Sequence, residues 1–302
     1  MALDVERYFD RRRLKRRLTF WRIAAVALAV GLAIVLFSDT EGFPRKSIAV
    51  LDVSNIITDD QDRIDALDEL ADNARVKALI VRIDSPGGTV VGGENLYTTL
   101  RRVAEKKPVV AVLGDLAASA AYMTAIAADH IVARNGTVTG SIGVLMQTVE
   151  VTGLLEKLGI NAEAIKSSPL KASPSPLEKT SPEARAAAED IIRDMYAMFV
   201  DMVTERRGLD RDRVLQLADG RVYTGRQAVA NGLIDGIGGE REAVDWLKTA
   251  KGIDPSLPLV DVDVHHKEGL LASIFGETVG KAIFSERLRL DGLISLWHPE
   301  LR

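Results

Sequence analysis

Three short apolar runs limit how this chain can fold: Ser47 to Val53 (SIAVLDV), Ala78 to Ile83 (ALIVRI) and Val109 to Leu113 (VVAVL). Each has the length of a buried strand. Between them lie stretches that read as helices, Asp60 to Asn73, where Ile64, Leu67 and Leu70 fall at helical spacing, and Glu94 to Lys106. Strand, helix, strand in this order predicts right-handed crossovers in a parallel sheet, so the expected fold class is α/β. The third run passes through Gly114 and Asp115 into a small-residue segment, Ser119 to Ala128, that reads as a helix. Ser119 stands at that junction, held by the scaffold beside the free N–H groups of a first helical turn.

Further along, His130 to Ala133 reads as a short strand, and Thr137 to Val151 mixes β-branched residues with Gly140 and Gly143. Asn161 to Lys166 is expected as another strand. Ser167 to Lys179 contains Pro169, Pro174 and Pro176, which continue neither a helix nor a central strand, and it is expected as a loop. Ser181-Pro182-Glu183 then opens a long helix to about Arg207, with serine as cap and proline at the first helical position. Val222 to Gly239 holds a short capped helix and a turn, and Glu240 to Ala250 a further helix. In the tail, Leu270 to Trp297, the residues Leu271, Ile274, Phe275, Val279, Ala282 and Ile283 share one helical face. That predicts an amphipathic helix, suited to a membrane surface, a partner subunit or the chain's own domain.

The N-terminus bears on location. Leu18 to Phe37 is mainly apolar, and Arg22 within it can snorkel toward headgroups, so the stretch reads as a transmembrane anchor. The preceding RRRLKRR, Arg11 to Arg17, places the N-terminal side in the cytoplasm by the positive-inside rule, with the rest of the chain on the outer side. A cleaved signal peptide is the rival reading, but no clear A-x-A site follows. The expected organisation is a basic leader at 1–17, an anchor at 18–37, a catalytic domain at 38–251 and a C-terminal extension at 252–302. Residues 1–22 carry net +5, leaving −9 on the remainder of a chain whose total is −4. An acidic body is a poor match for nucleic acid.

The chain has 302 residues, 47% of them apolar, enough for a real core. It has no cysteine, which excludes disulfides, thiolate metal sites and a thiol nucleophile. Its histidines, His130, His265, His266 and His298, form no metal-ligand spacing, so no metal is expected. A serine nucleophile needs a base. His130 lies eleven residues beyond Ser119, about 16 Å along a helix, and the other histidines belong to the tail. A lysine whose charged form is disfavoured by burial is the remaining base with precedent. Lys106 and Lys107 end a helix, where a cation is favourable and solvated, and Lys157 and Lys179 read as surface charges. Lys171, between Leu170 and Ala172 in the proline-broken loop, can be directed into a pocket, although taken alone it reads as a loop lysine. Backbone N–H groups at Gly88 and Ala120 are candidate oxyanion donors. Taken in isolation, Pro86-Gly87-Gly88 is a turn.

Five blocks then occur in a telling order: DSPGG (Asp84 to Gly88), GDLAAS (Gly114 to Ser119), TGSIGVLMQ (Thr139 to Gln147), IKSSPLK (Ile165 to Lys171) and ADGRVYTGRQAVANGLID (Ala218 to Asp235). In these the sequence resembles the SppA-type signal peptide peptidases, over about Ile48 to Leu247. The resemblance implies a Clp protease/crotonase-like fold of repeated β-β-α units and a Ser-Lys dyad that needs no cofactor. Ser119 takes the nucleophile position, Lys171 that of the general base, Ser141 that of a serine orienting the lysine, and Gly88 that of an oxyanion glycine. One departure stands out: the family commonly has two glycines after the nucleophile, where this chain has Ala120 and Ala121. With a single catalytic unit the chain resembles the short forms, which build dome-shaped rings such as octamers with serine and lysine from adjacent protomers. The implied function is a single-pass peptidase of the bacterial cytoplasmic membrane, its catalytic domain periplasmic or extracellular, acting on signal-peptide remnants and unfolded hydrophobic segments. The alternatives are a crotonase-like acyl-CoA enzyme and a non-catalytic membrane scaffold.

Overall fold

The computed structural model describes residues 17–30, 43, 45–264 and 293–296. The chain divides into two compact units, Met1–Arg45 and Lys46–Arg302. In the first, residues 17–30 are helical (α1), with Leu18, Trp21 and Leu28 among the exposed apolar side chains. Among the described residues no helix is long and apolar enough to cross a membrane, and positions 31–37 of the expected anchor lie outside them.

The second unit is an α/β fold. Its elements run β1 (Ser47–Ile57), α2 (Gln61–Asp72), β2 (Val76–Thr89), α3 (Val90–Lys106), β3 (Val109–Ala118), α4 (Ala120–Ala125), β4 (His130–Ala133), β5 (Val138–Gly140), β6 (Leu145–Met146) and α5 (Thr152–Lys157). There follow α6 (Pro182–Arg207), α7 (Arg211–Leu217), β7 (Val222–Thr224), α8 (Gly225–Ala230), β8 (Gly236–Ile237), α9 (Glu240–Lys251), β9 (Leu259–Asp261) and β10 (Leu293–Leu296). Through α4 long strands alternate with helices, and β2 and β3 each change partner partway, β2 from β3 to β10 and β3 from β4 to β5.

As the apolar runs require, β1, β2, β3 and β4 pair in parallel, and the sheet becomes mixed where β7 joins β5 and β10 joins β2 and β6 antiparallel. Ile48, Val50, Ala78, Ile80, Val110 and Val132 pack against Ala243 and Leu247 of α9. Their alternates, Ala49, Leu51, Leu79, Val81 and Ala111, are equally buried. Burial on both faces explains why these strands read as continuous apolar runs.

Several boundaries differ from the sequence reading. Helix α3 starts at Val90 rather than Glu94, because the Thr89 hydroxyl accepts the Gly92 N–H and caps a turn that its valines and glycines disguise. Helix α4 is shorter than expected: beyond Ala125 the backbone tightens into bonds from Ala127 to Thr124 and from Ala128 to Ala125. Asn161 to Lys166 forms no strand; it is mostly exposed, Ile165 at 97%, and joins no strand among the described residues. Helix α6 begins at Pro182 with Ser181 as cap, as expected. Leu293–Leu296 is a strand, which corrects the helical tail over those residues. The stretch LISL is too short for periodicity to separate the two, and two waiting strand edges decide it. The remainder of the expected tail helix lies outside the described residues.

Candidate active site

Strand β3 delivers Ser119, and the neighbouring segments fix where it ends. β2 and β3 stay in register from Leu79 opposite Val109 to Ile83 opposite Leu113, then slip, with Ser85 opposite Ala117. At the slip, Asp84 Oδ1 accepts the Leu116 N–H at 3.0 Å. Gly114 makes room for that carboxylate: a Cβ there would lie 3.1 Å from Asp84 Cβ. Thr137 and Thr139 donate their hydroxyls to the carbonyls of Gly114 and Ala117 at 2.7 and 2.6 Å, bracing β3 from β5.

Ser119 then breaks the strand with φ 60° and ψ −121° while only 1% exposed. This is an unfavourable backbone region for a residue with a Cβ, worth about 1–3 kcal/mol of strain that surrounding bonds must hold. They do so on both sides: its N–H donates to the Gly140 carbonyl at 2.8 Å, and its carbonyl accepts the Met123 N–H at 2.9 Å. Tyr122, buried in α4, donates its hydroxyl to the Leu233 carbonyl, and burial pushes its pKa up, keeping it a neutral tether.

The other expected residues gather at this junction, with one exception. Ser141 follows the Gly140 that holds Ser119; it is 8% exposed, adopts φ 50°, and its N–H donates to the Arg221 carbonyl at 2.9 Å. Gly88 lies on β2, opposite Ile57, three residues beyond Ser85. A Cβ at Gly88 would stand 1.8 Å from the Ile57 carbonyl oxygen, so only glycine fits. Ala120 opens α4, where its N–H has no acceptor within the helix. The exception is Lys171. It is exposed, and no hydrogen bond among the described residues joins its ammonium to Ser119 or Ser141. Its loop is closed by Lys166, whose ammonium meets Glu178 and Ser173.

The sequence comparisons agree on the family of the chain. The family model described as peptidase family S49 matches residues 101–254. A candidate protease of Synechocystis sp. is 40% identical over 213 residues, 70% of this chain and 76% of that protein. The chain belongs to peptidase family S49. A candidate signal peptide peptidase of Enterococcus faecium is 33% identical over 225 residues, 70% of this chain and 65% of its own. Among solved structures, a membrane-bound stomatin-specific protease aligns over 73% of this chain and 99% of its own, with a TM-score of 0.50 and 15% identity, a likeness of fold. As an S49 peptidase the chain is a serine peptidase, a hydrolase of peptide bonds, in line with the sequence reading.

Within this S49 peptidase, Ala120 and Ala121 sit in α4 without positive φ, and both are fully buried. Gly93 of α3 supplies the space: a Cβ there would come within 3.0 Å of Ala120 Cβ. Sequence reasoning missed that pairing, and also Asp84, Thr137 and Thr139, which act through β3. It misread Lys107 as solvated. Lys107 is 9% exposed, donates to the carbonyls of Asn73 and Val76, and has its pKa lowered by burial and by Lys77. It precedes β3, whose ten residues span about 33 Å, so it sits far from Ser119. His130 is also engaged elsewhere, stacked on Trp246 at 4.8 Å with Nδ1 3.7 Å from Asp235. Among the described residues no group of three or more carboxylate or imidazole side chains is placed to share a metal ion.

Proposed function

We propose that this S49 peptidase is a membrane-anchored endopeptidase in which Ser119 and Lys171 form the catalytic dyad, assembled between protomers of a ring. The observation that carries the reading is Ser119 itself: buried, strained and fixed at the end of β3 beside Gly88, with His130 committed to Trp246 and Asp235. The exposed Lys171 is accounted for if a neighbouring chain presents it to this serine. Ser141, one residue beyond the carbonyl that accepts the Ser119 N–H, takes the role of orienting the incoming amine in this reading.

In this mechanism the Lys171 amine accepts the Ser119 Oγ proton as Oγ attacks the scissile carbonyl. The Gly88 and Ala120 N–H groups hold the developing oxyanion. The tetrahedral species collapses to an acyl-enzyme, Lys171 returns the proton to the leaving amine, and it then activates water for deacylation. The anchor is the apolar stretch 18–37, and the substrates are signal-peptide remnants and other unfolded apolar segments. The catalytic domain faces the periplasm or the cell exterior.

The test is hydrolysis of an unfolded peptide by full-length protein. Ser119→Ala and Lys171→Ala each lower kcat by at least about 10³-fold, the scale on which members of a catalytic unit act. Mixing the two variants before assembly restores activity, because some interfaces then join an intact serine to an intact lysine. Full activity in either single variant would overturn the dyad; co-assembled mixtures that stay inactive would overturn its placement between chains.

A further inference from the structure

Helix α4 carries Ser119 at its head and is fully buried from Ala120 to Ala125. Alanines make up half of it, and their short side chains give shallow ridges, so packing alone resists sliding along the axis only weakly. The Thr124 hydroxyl donates within the helix, to the Ala120 carbonyl at 3.0 Å, while Tyr122 ties one flank to Leu233. The far end is gripped by two guanidinium groups. Arg206, in the last turn of α6, donates Nε to the Ile126 carbonyl at 2.9 Å and Nη2 to the Ala128 carbonyl at 3.0 Å. Arg101 of α3 donates Nη1 to the carbonyl between them, that of Ala127, at 2.9 Å. Three successive carbonyls, the kind a helix end leaves without partners, are thus met by cations from two other helices. Asp129 completes the closure: its N–H donates to the Val109 carbonyl and its carboxylate accepts the Val109 N–H. The end of α4 is therefore tied to the start of β3, the strand that leads to Ser119. Setting Arg206 beside Arg101 in a half-buried place is unfavourable in itself. Burial and Arg101 both lower the Arg206 pKa, against Tyr97, Asp129 and Glu205, which raise it.

We infer that Arg206, with Arg101 beside it, is a positioning residue for the peptidase reaction: the pair fixes the axial position of α4 and thereby the place of the Ser119 Oγ. Ala128 lies nine residues beyond Ser119, about 13 Å along a helical path, so the guanidinium groups touch neither substrate nor the reacting atoms. Their effect passes along the buried helix. Ser119, at φ 60°, has its carbonyl bonded to the Met123 N–H and follows any shift of the first turn. Misplacing a reacting group by about 1 Å can lower a rate by about 10²-fold. The inference rests on Ser119 being the nucleophile, as proposed above.

The test uses full-length protein in detergent and a fluorophosphonate probe, whose phosphorus is attacked by a serine Oγ with loss of fluoride. Two variants are compared with the parent: Arg206→Ala, which removes the grip, and Arg206→Lys, which keeps the charge but not the fork that spans Ile126 and Ala128. At saturation the probe labels the same fraction of chains in all three proteins. The second-order labelling rate constant falls at least about tenfold in Arg206→Ala and about fivefold in Arg206→Lys. The kcat for an unfolded peptide falls in step, with KM held within about twofold. Methylguanidine restores the rate of Arg206→Ala by at least about fivefold and leaves the parent unchanged, because it returns the missing donors to the vacated place. Arg102→Met, which removes an α3 guanidinium paired with Asp68 instead, alters none of these readings. A purely structural role would lower the labelled fraction and leave the rate constant of the remaining folded chains as it was; that outcome would overturn the inference. So would an Arg206→Lys rate constant equal to that of the parent, whether or not Arg206→Ala folds. A probe adduct in the parent at a residue other than Ser119 would overturn the nucleophile reading and this inference with it, a failure visible before any variant is made.

Discussion

Gly88 shows how a single residue can be fixed by its neighbour rather than by its own chemistry. The ideal Cβ position lies 1.8 Å from the Ile57 carbonyl oxygen, far inside any tolerable contact, so Gly88→Ala forces β1 and β2 apart just where the oxyanion donor is proposed. The expected outcome is a loss of about 1–3 kcal/mol in urea unfolding, typical of overpacking. With it goes a fall in kcat of about 10²-fold or more, the scale of one lost oxyanion donor. A variant with full kcat would remove Gly88 from the site. Gly88 and Ser119 were legible in the sequence because each closes an apolar run with a local signal, Pro-Gly-Gly in one case and a change of period in the other. Lys107 was not. It follows a helix end, where a lysine normally meets water, and what buries it are the carbonyls of Asn73 and Val76, more than thirty positions away in sequence.

Elements were legible where local pattern and packing agree, as in β1, α2, α6 and α9, and illegible where a distant partner decides. Asn161 to Lys166 has strand-like composition but no edge to join, whereas Leu293–Leu296 finds two. The contact of β4 with α9 carries a pH dependence that follows from such a distant pairing. His130 stacks on Trp246, whose ring also lies 5.6 Å from the Lys251 ammonium. Burial lowers the His130 pKa from 6.5, outweighing Asp235, which raises it; Arg207 lowers it further. The unfolded chain therefore binds the proton more readily than the folded one. The contribution to stability is complete above about pH 6.5 and is lost as pH falls through the folded value. His130→Phe preserves an aromatic face for Trp246 and removes this proton. Urea midpoints measured from pH 7.5 down to 5.0 should decline less steeply in the variant than in the parent; identical slopes would mean that other groups carry the acid sensitivity.

At the scale of the whole molecule, the unit beginning at Lys46 has two kinds of surface. The sheet and its helices bury their apolar residues, whereas the stretch from Val149 to Leu177 leaves many of its own in water: Leu154 at 58%, Leu158 at 64% and Ile165 at 97% exposure, with no buried residue in α5. Exposed apolar side chains concentrated in one segment are the raw material of an interaction site, and this stretch also carries the base proposed for the neighbouring serine. The two facts are linked if the same contact that covers these side chains also delivers Lys171. Ile165→Asp separates assembly from folding. At so exposed a position the substitution changes the stability of the chain by no more than about 0.5 kcal/mol, yet it places a charge in the proposed contact. In detergent, sedimentation of the variant should fall toward the 32.8 kDa of one chain, with unfolding by urea unchanged and peptide hydrolysis reduced by at least about tenfold. A variant that keeps both its assembled mass and its activity would place the contact elsewhere, and Lys171 would then have to reach Ser119 within one chain.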